Sequence, residues 1–120
     1  MARDFRKIAA WDRVHTLTLR IYRATARFPG DERFGIVSRI RRACASIPTN
    51  LAVGCGRSTN SELARFIDIA TGSAGEMEYQ RLLAKGLGYL PDDEHKNLTT
   101  EVTEIRRRFL AFNKKLRTPQ

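Results

Sequence analysis

Apolar residues recur along the chain at spacings of three and four, the period of one helix face, and no segment shows the strict alternation of a half-buried strand. The pattern predicts four helices separated by short punctuated turns. The first spans about Asp4 to Arg27, with Ile8, Trp11, Val14, Leu17, Ile21, Tyr22 and Phe28 on or beside one stripe. Phe28-Pro29-Gly30-Asp31 stops it, because proline forbids continuation, glycine turns the chain and Asp31 can cap the next helix. The second spans roughly Asp31 to Cys55 and turns Phe34, Val37, Ile40, Cys44, Ile47 and Leu51 inward before Gly54-Cys55-Gly56 ends it. Thr59-x-x-Glu62 is a capping box for the third, whose inward line is Leu63, Phe66, Ile67, Ala70, Ala74, Met77, Ala84 and Leu87. Gly86, Gly88 and Pro91 close that helix, and Asp92, Asp93 and Glu94 place negative charge at the start of the fourth, where the helix dipole favours it. Leu98, Val102, Ile105, Phe109, Phe112 and Leu116 then make the most regular heptad in the chain.

Two features interrupt these patterns. Pro48 stands inside the second helix, where its missing N–H and its ring cost about 3 kcal/mol in isolation, so a kinked helix held by its neighbours is expected. The small run Ala70-Thr71-Gly72-Ser73-Ala74-Gly75 weakens the third helix and calls for a close approach by another backbone, from within the bundle or from a second subunit. With connections this short the reading is all-α: one domain over residues 1–120, an up-and-down four-helix bundle with a Pro-kinked second helix.

Charge adds a functional direction. Lys and Arg number 22 against 13 Asp and Glu, a net +9, and 17 of the cations are arginine, the residue suited to planar anions such as phosphate. Up-and-down topology collects Arg3, Arg6, Lys7, Arg57, Lys114, Lys115 and Arg117 at one end, and Asp31, Glu32, Asp92, Asp93 and Glu94 at the other. Arg6, Arg13, Arg20 and Arg27 recur every seven residues, a stripe about 31 Å long on a continuous helix. Arg106, Arg107 and Arg108 cluster midway along the fourth helix, where no helix end explains them. Such surfaces suit a polyanion, bound through counterion release without base reading. A competing account pairs the arginines with Asp68, Glu76, Glu78, Glu101 and Glu104 across a subunit interface. Trp11, Phe66, Phe109 and Phe112 fall at core spacing and offer no stacking platform.

Little else in the chain points to chemistry. Met1 to Lys7 leads into a charged segment, and no apolar run approaches about 20 residues, so a cytoplasmic protein without a membrane span is expected. Cys44 and Cys55 are about 16 Å apart along one helix, beyond disulfide reach, and read as reduced core residues. Gly54-x-Gly56-Arg57-Ser58 lacks the spacing and lysine of a phosphate loop, and Gly72-Ser73-Ala74-Gly75 does not match a nucleophile elbow. His15 reads as a boundary residue hydrogen-bonded within the bundle. His95 follows Asp92 by three but lacks the paired Glu-x-x-His motifs of a carboxylate-bridged metal site. No catalysis, metal or cofactor is expected.

The string Arg41-Arg42-Ala43, Ser46-Ile47-Pro48, Asn50-Leu51-Ala52, Gly54, Gly56-Arg57, read with Gly72-Ser73-Ala74-Gly75-Glu76 and with Trp11, Tyr22 and Phe28-Pro29, carries a likeness over nearly the whole chain. It resembles the four-helix-bundle proteins encoded in intervening sequences of bacterial large-subunit ribosomal RNA genes. The resemblance implies an up-and-down bundle that assembles into a ring of five subunits. Relatives of that family include accessory proteins of diversity-generating retroelements, which implies nucleic acid and a reverse transcriptase as partners. Carried over by position, the motif residues are Arg41, Arg42, Ser46, Pro48, Asn50, Gly54, Arg57, Phe66, Gly72, Ser73 and Glu76. Arg39 stands where a glutamine is usual, and Val53 where a glutamate follows Asn-Leu-Ala. The expectation is a homo-oligomer binding RNA or DNA through Arg6, Arg13, Arg20, Arg27, Arg41, Arg42, Arg57, Arg106, Arg107, Arg108, Lys114, Lys115 and Arg117. The rival is a protein-interaction scaffold that uses its arginines at subunit or partner interfaces.

Overall fold

In the computed structural model, which describes residues 3–118, each amphipathic segment folds with its apolar line against the others. A 3-10 turn at Phe5–Lys7 precedes α1 (Trp11–Thr25), and a second at Gly30–Glu32 precedes α2 (Ile36–Cys55); α3 (Asn60–Gly86) and α4 (Asp92–Arg117) follow. Helix α1 packs on α2 and α4, α2 on α3, and α3 on α4, closing an up-and-down bundle of 50 × 23 × 19 Å. Leu17 and Ile21 of α1, Ile40, Ile47 and Leu51 of α2, Ile67 and Met77 of α3, and Leu98, Ile105 and Phe109 of α4 are fully buried. Among the described residues no helix is long and apolar enough to cross a membrane.

Pro48 does not break α2, which runs continuously through it. Flanking side chains brace the turn that lacks the proline N–H: Thr49 Oγ1 donates to the Ala45 carbonyl and Asn50 Nδ2 to the Ser46 carbonyl, both at 2.8 Å. Asn50 Nδ2 also reaches Ser46 Oγ at 2.8 Å, which in turn lies 2.8 Å from Ser73 Oγ on α3. A polar seam therefore ties the proline segment to its neighbour. The cap expected at Thr59 is present, its Oγ1 accepting the Glu62 N–H at 3.1 Å.

The close approach falls at a different glycine from those in the small run. A Cβ on Gly54 would stand 2.8 Å from Phe66 Cβ and 3.0 Å from Leu63 Cδ1, whereas Gly72 and Gly75 have nothing within 4 Å. Ala70 and Ala74 do enter the core, but the run's glycines are not used inside this subunit.

Element boundaries depart from the periodicity in three places. The first helix is two pieces, because the Asp4 carboxylate accepts the Arg6 N–H at 3.0 Å and caps a short 3-10 turn that ends at Ile8. Helix α2 begins at Ile36 and not near Asp31, so Phe34 lies outside the helix wheel and points to solvent. Leu87 is the exposed C-cap of α3; Gly88 then turns the chain at φ 80°, and Leu90 fills the core position.

Gly54→Ala tests the close approach. Alanine favours the helix by about 1 kcal/mol over glycine. Phe66 Cβ, however, moves only with the α3 backbone, so overpacking of about 1–3 kcal/mol acts near its upper end. The expected result is a lower urea midpoint, by about 1–2 kcal/mol of unfolding free energy; an unchanged or raised midpoint would refute the packing argument.

Candidate nucleic-acid interface

The fold brings the expected basic end together. The Arg3 N–H donates to the Cys55 carbonyl at 2.6 Å, its guanidinium donates to Asn60 Oδ1 at 2.9 Å, and it lies 5.9 Å from the Phe112 ring centre. The start of the chain, the turn between α2 and α3, and the last turns of α4 thus meet. Lys114 and Lys115 are exposed there without a carboxylate partner among the described residues. At the other end Tyr89 Oη donates to Glu32 at 2.9 Å, Arg27 pairs with Glu94 at 3.0 Å, and Lys85 approaches Asp92 at 3.9 Å.

The seven-residue arginine stripe does not form as one surface. Arg6 belongs to the leading 3-10 turn and Arg27 lies past the end of α1, leaving Arg13 and Arg20 on the helix. Three of the four are paired: Arg6 with Asp4 at 3.1 Å, Arg13 with Glu101 at 3.3 Å, and Arg27 with Glu94. On α4, Arg106 pairs with Glu78, while Arg107 and Arg108 share Glu104 at 2.6 and 2.9 Å. Arg117 pairs with Asp68 at 2.6 Å, and Arg57 approaches Glu62 at 3.9 Å with its guanidinium 5.1 Å from the Phe66 ring centre. Exposed pairs of this kind contribute about 0–1 kcal/mol each, so they cancel local field without locking the side chains.

Excess positive charge is left on the outer face of α2. This helix carries Arg39, Arg41 and Arg42 and no Asp or Glu. Arg41 is held by neutral acceptors, its Nε donating to Thr25 Oγ1 at 2.8 Å and its Nη2 to the Tyr22 carbonyl at 3.0 Å, with the guanidinium 4.8 Å from the Tyr22 ring centre. Arg42 has no described partner and lies in a groove of about 720 Å³ with Arg33, Arg41, Tyr22 and Phe34. No carboxylate lines that groove. A smaller cleft of about 250 Å³ adjoins it, where Arg39, Arg42 and Ser46 of α2 face Ser73 and Glu76 of α3. Arg41 and Arg42 were legible in the sequence; Phe34 was not, because the periodicity assigned it to the core. Its place two residues before an arginine-rich helix with no acid was the available signal.

Elsewhere the polar groups serve the bundle. Arg81, 4% exposed, donates to Thr99 Oγ1 and to His95 Nδ1, the latter at 3.0 Å. Burial, then the Arg81 charge, holds the His95 pKa below its ordinary 6.5. His15 is exposed and stacks on Trp11, ring centres 4.9 Å apart, in place of a hydrogen bond into the bundle. Cys44 and Cys55 are buried free thiols, and burial pushes Cys44 up to about 11. Among the described residues no three His, Cys, Asp or Glu side chains are grouped to hold a metal.

The Arg107 and Arg108 hydrogen bonds hold Glu104 at about 2, below its ordinary 4.5. A carboxylate depressed by folding adds stability above its unfolded pKa and loses it as pH falls through the folded value. Acid unfolding followed by circular dichroism should therefore be shallower in Glu104→Gln than in the parent between pH 4.5 and about 2. Identical profiles would show that the Glu104 bonds contribute nothing in solution.

Comparison with known proteins agrees with this architecture. No curated protein matches the sequence. A crystal structure of a protein of unknown function from the S23 ribosomal protein family of Bacteroides thetaiotaomicron is similar in fold, with a TM-score of 0.79 at 20% identity, covering 88% of this chain and 99% of that one. Residues 6–111 match the family model described as 23S rRNA-intervening sequence protein, which takes in α1 to α3, most of α4, the α2 arginines and the groove beside them. The chain belongs to the 23S rRNA-intervening sequence protein family.

Proposed function

We propose that the protein is a non-catalytic, cytoplasmic homo-oligomer, pentameric as the resemblance implies, that binds RNA or DNA electrostatically. The observation that carries this reading is an open groove beside α2 that Arg33, Arg41 and Arg42 line without a carboxylate, in a chain of net charge +9. Among the expected contacts, Arg20, Arg42, Lys114 and Lys115 have no side-chain partner among the described residues and Arg41 is held by neutral acceptors, whereas Arg13, Arg27, Arg57, Arg106 and Arg117 can exchange weak pairs for phosphate. Assembly would multiply the effect, since five subunits carry on the order of +45 and array weak contacts together.

Support for assembly comes from α3, which is apolar on two sides. Beyond its buried line it exposes Ile69, Tyr79, Leu82 and Leu83, with Gly72 open among them. A helix covered on one side only has no need of the second apolar face. The scaffold reading draws on Glu76, exposed and without an ion pair among the described residues at the cleft beside Arg39 and Arg42, where a second subunit's arginine could meet it.

Binding to an unrelated oligonucleotide at several salt concentrations tests the first reading. Log affinity should fall linearly with log salt at about 0.7–0.9 per phosphate contact, and Arg42→Glu should flatten the slope by about one contact or more. A flat response, or no binding at low salt, overturns it. Light scattering tests assembly: the parent should exceed the mass of one chain, and Ile69→Arg with Tyr79→Arg should lower it. A single-chain mass for the parent would remove the oligomer.

A further inference from the structure

We infer that the groove on the outer face of α2 selects single-stranded nucleic acid, stacking unpaired bases on Phe34 and Tyr22 while Arg33, Arg41 and Arg42 hold the adjoining phosphates. The inference rests on the nucleic-acid reading above and names the form of polymer that the site takes.

Three observations converge on it. Phe34 is 89% exposed, with the Arg33 guanidinium 5.6 Å from its ring centre. A phenyl ring so far out of the core gains nothing from the fold, and its place between the Gly30–Glu32 turn and the first residue of α2 presents it at the rim of the groove. Tyr22, 41% exposed, forms another part of the same lining. Arg41 is fixed beside it by its bonds to Thr25 and to the Tyr22 carbonyl, so a planar cation and a planar ring are ordered before any ligand arrives. The groove is open to solvent along its length, so a strand can reach both rings and the arginines between them.

The chemistry discriminates between polymers. Aromatic rings and guanidinium planes stack on any base, but only on a base that has left its helical stack. Duplex offers the arginines its phosphates and leaves Phe34 and Tyr22 without partners. An acidic peptide would do the same, since carboxylates satisfy the cations and not the rings. The lining has no carboxylate to repel a phosphate chain, and that charge complementarity favours the polyanion over a second copy of this chain.

Fluorescence anisotropy at one fixed salt concentration tests the inference, with an oligothymidine of about 15 nucleotides and a mixed-sequence duplex of the same length as probes. The single strand should bind at least about fivefold more tightly than the duplex. Phe34→Ala, at an exposed turn position where circular dichroism should show an intact fold, should weaken the single strand at least about fivefold and leave the duplex unchanged. Tyr22→Leu should act in the same direction, whereas Arg42→Glu should weaken both probes. Equal weakening of both probes by Phe34→Ala, no weakening, or tighter duplex binding would overturn the stacking site and leave electrostatic binding standing. Failure of both probes to bind the parent would overturn both. A lower mass for Phe34→Ala by light scattering would show the groove to be a subunit contact, which also overturns the inference.

Discussion

The distance between α2 and α3 is the constraint on which the rest of the bundle depends. At Gly54 the two helices come so near that the missing Cβ is taken up by Phe66 and Leu63, and Ala43 on α2 and Ala70 and Ala74 on α3 are all buried. Small residues let two backbones approach at the cost of helix propensity, so each helix relies on the other to remain helical. This reliance explains how Pro48 can sit inside α2: Thr49 and Asn50 bond back to the preceding turn, and the contact of Ser46 with Ser73 ties that turn to α3. The same packing turns the opposite side of α2, with its arginines, toward solvent.

Charge placement follows from that geometry. Acids concentrate on α3 and α4, and topology sets them beside the cations of α1 and α4, so Arg13 meets Glu101, Arg106 meets Glu78 and Arg117 meets Asp68. Helix α2 contributes no acid, and none lines the groove that holds Arg33, Arg41 and Arg42; Glu76 stands only at the smaller cleft on the side of Arg39 and Arg42. A surface that attracts polyanions is defined here less by where arginines occur than by where carboxylates do not.

The interior polar groups have another role. Arg81 is buried between α3 and α4, sharing His95 and Thr99 with one side and Glu78 with the other, and Asn113 donates to the Ala64 carbonyl at 3.0 Å and to Asp68 at 2.8 Å. Neither follows from apolar periodicity, although both lie at positions that the heptads leave between apolar neighbours. Removing one member of such a set would strand its partners in the core, which makes these contacts a means of holding α3 and α4 in one register.

Four helices, their order, the Thr59 cap, the core of α4 and, apart from Phe34, that of α2 were legible in the chain itself, because hydrophobic period and turn chemistry are local properties. The family likeness was legible for the same reason, since most of its motif lies in short local strings, the longest of them on α2. The tertiary structure alone decided which arginines remain without acids, because Arg13 and Glu101 are 88 positions apart and meet only when α1 packs on α4. It alone moved Phe34 from the expected core to the rim of an arginine groove, where a start of α2 five residues later than the apolar pattern suggests changes the direction of a side chain without changing a single residue. Spacing can state which residues share a helix face; whether that face is covered, neutralised or open depends on what the remaining helices bring to it.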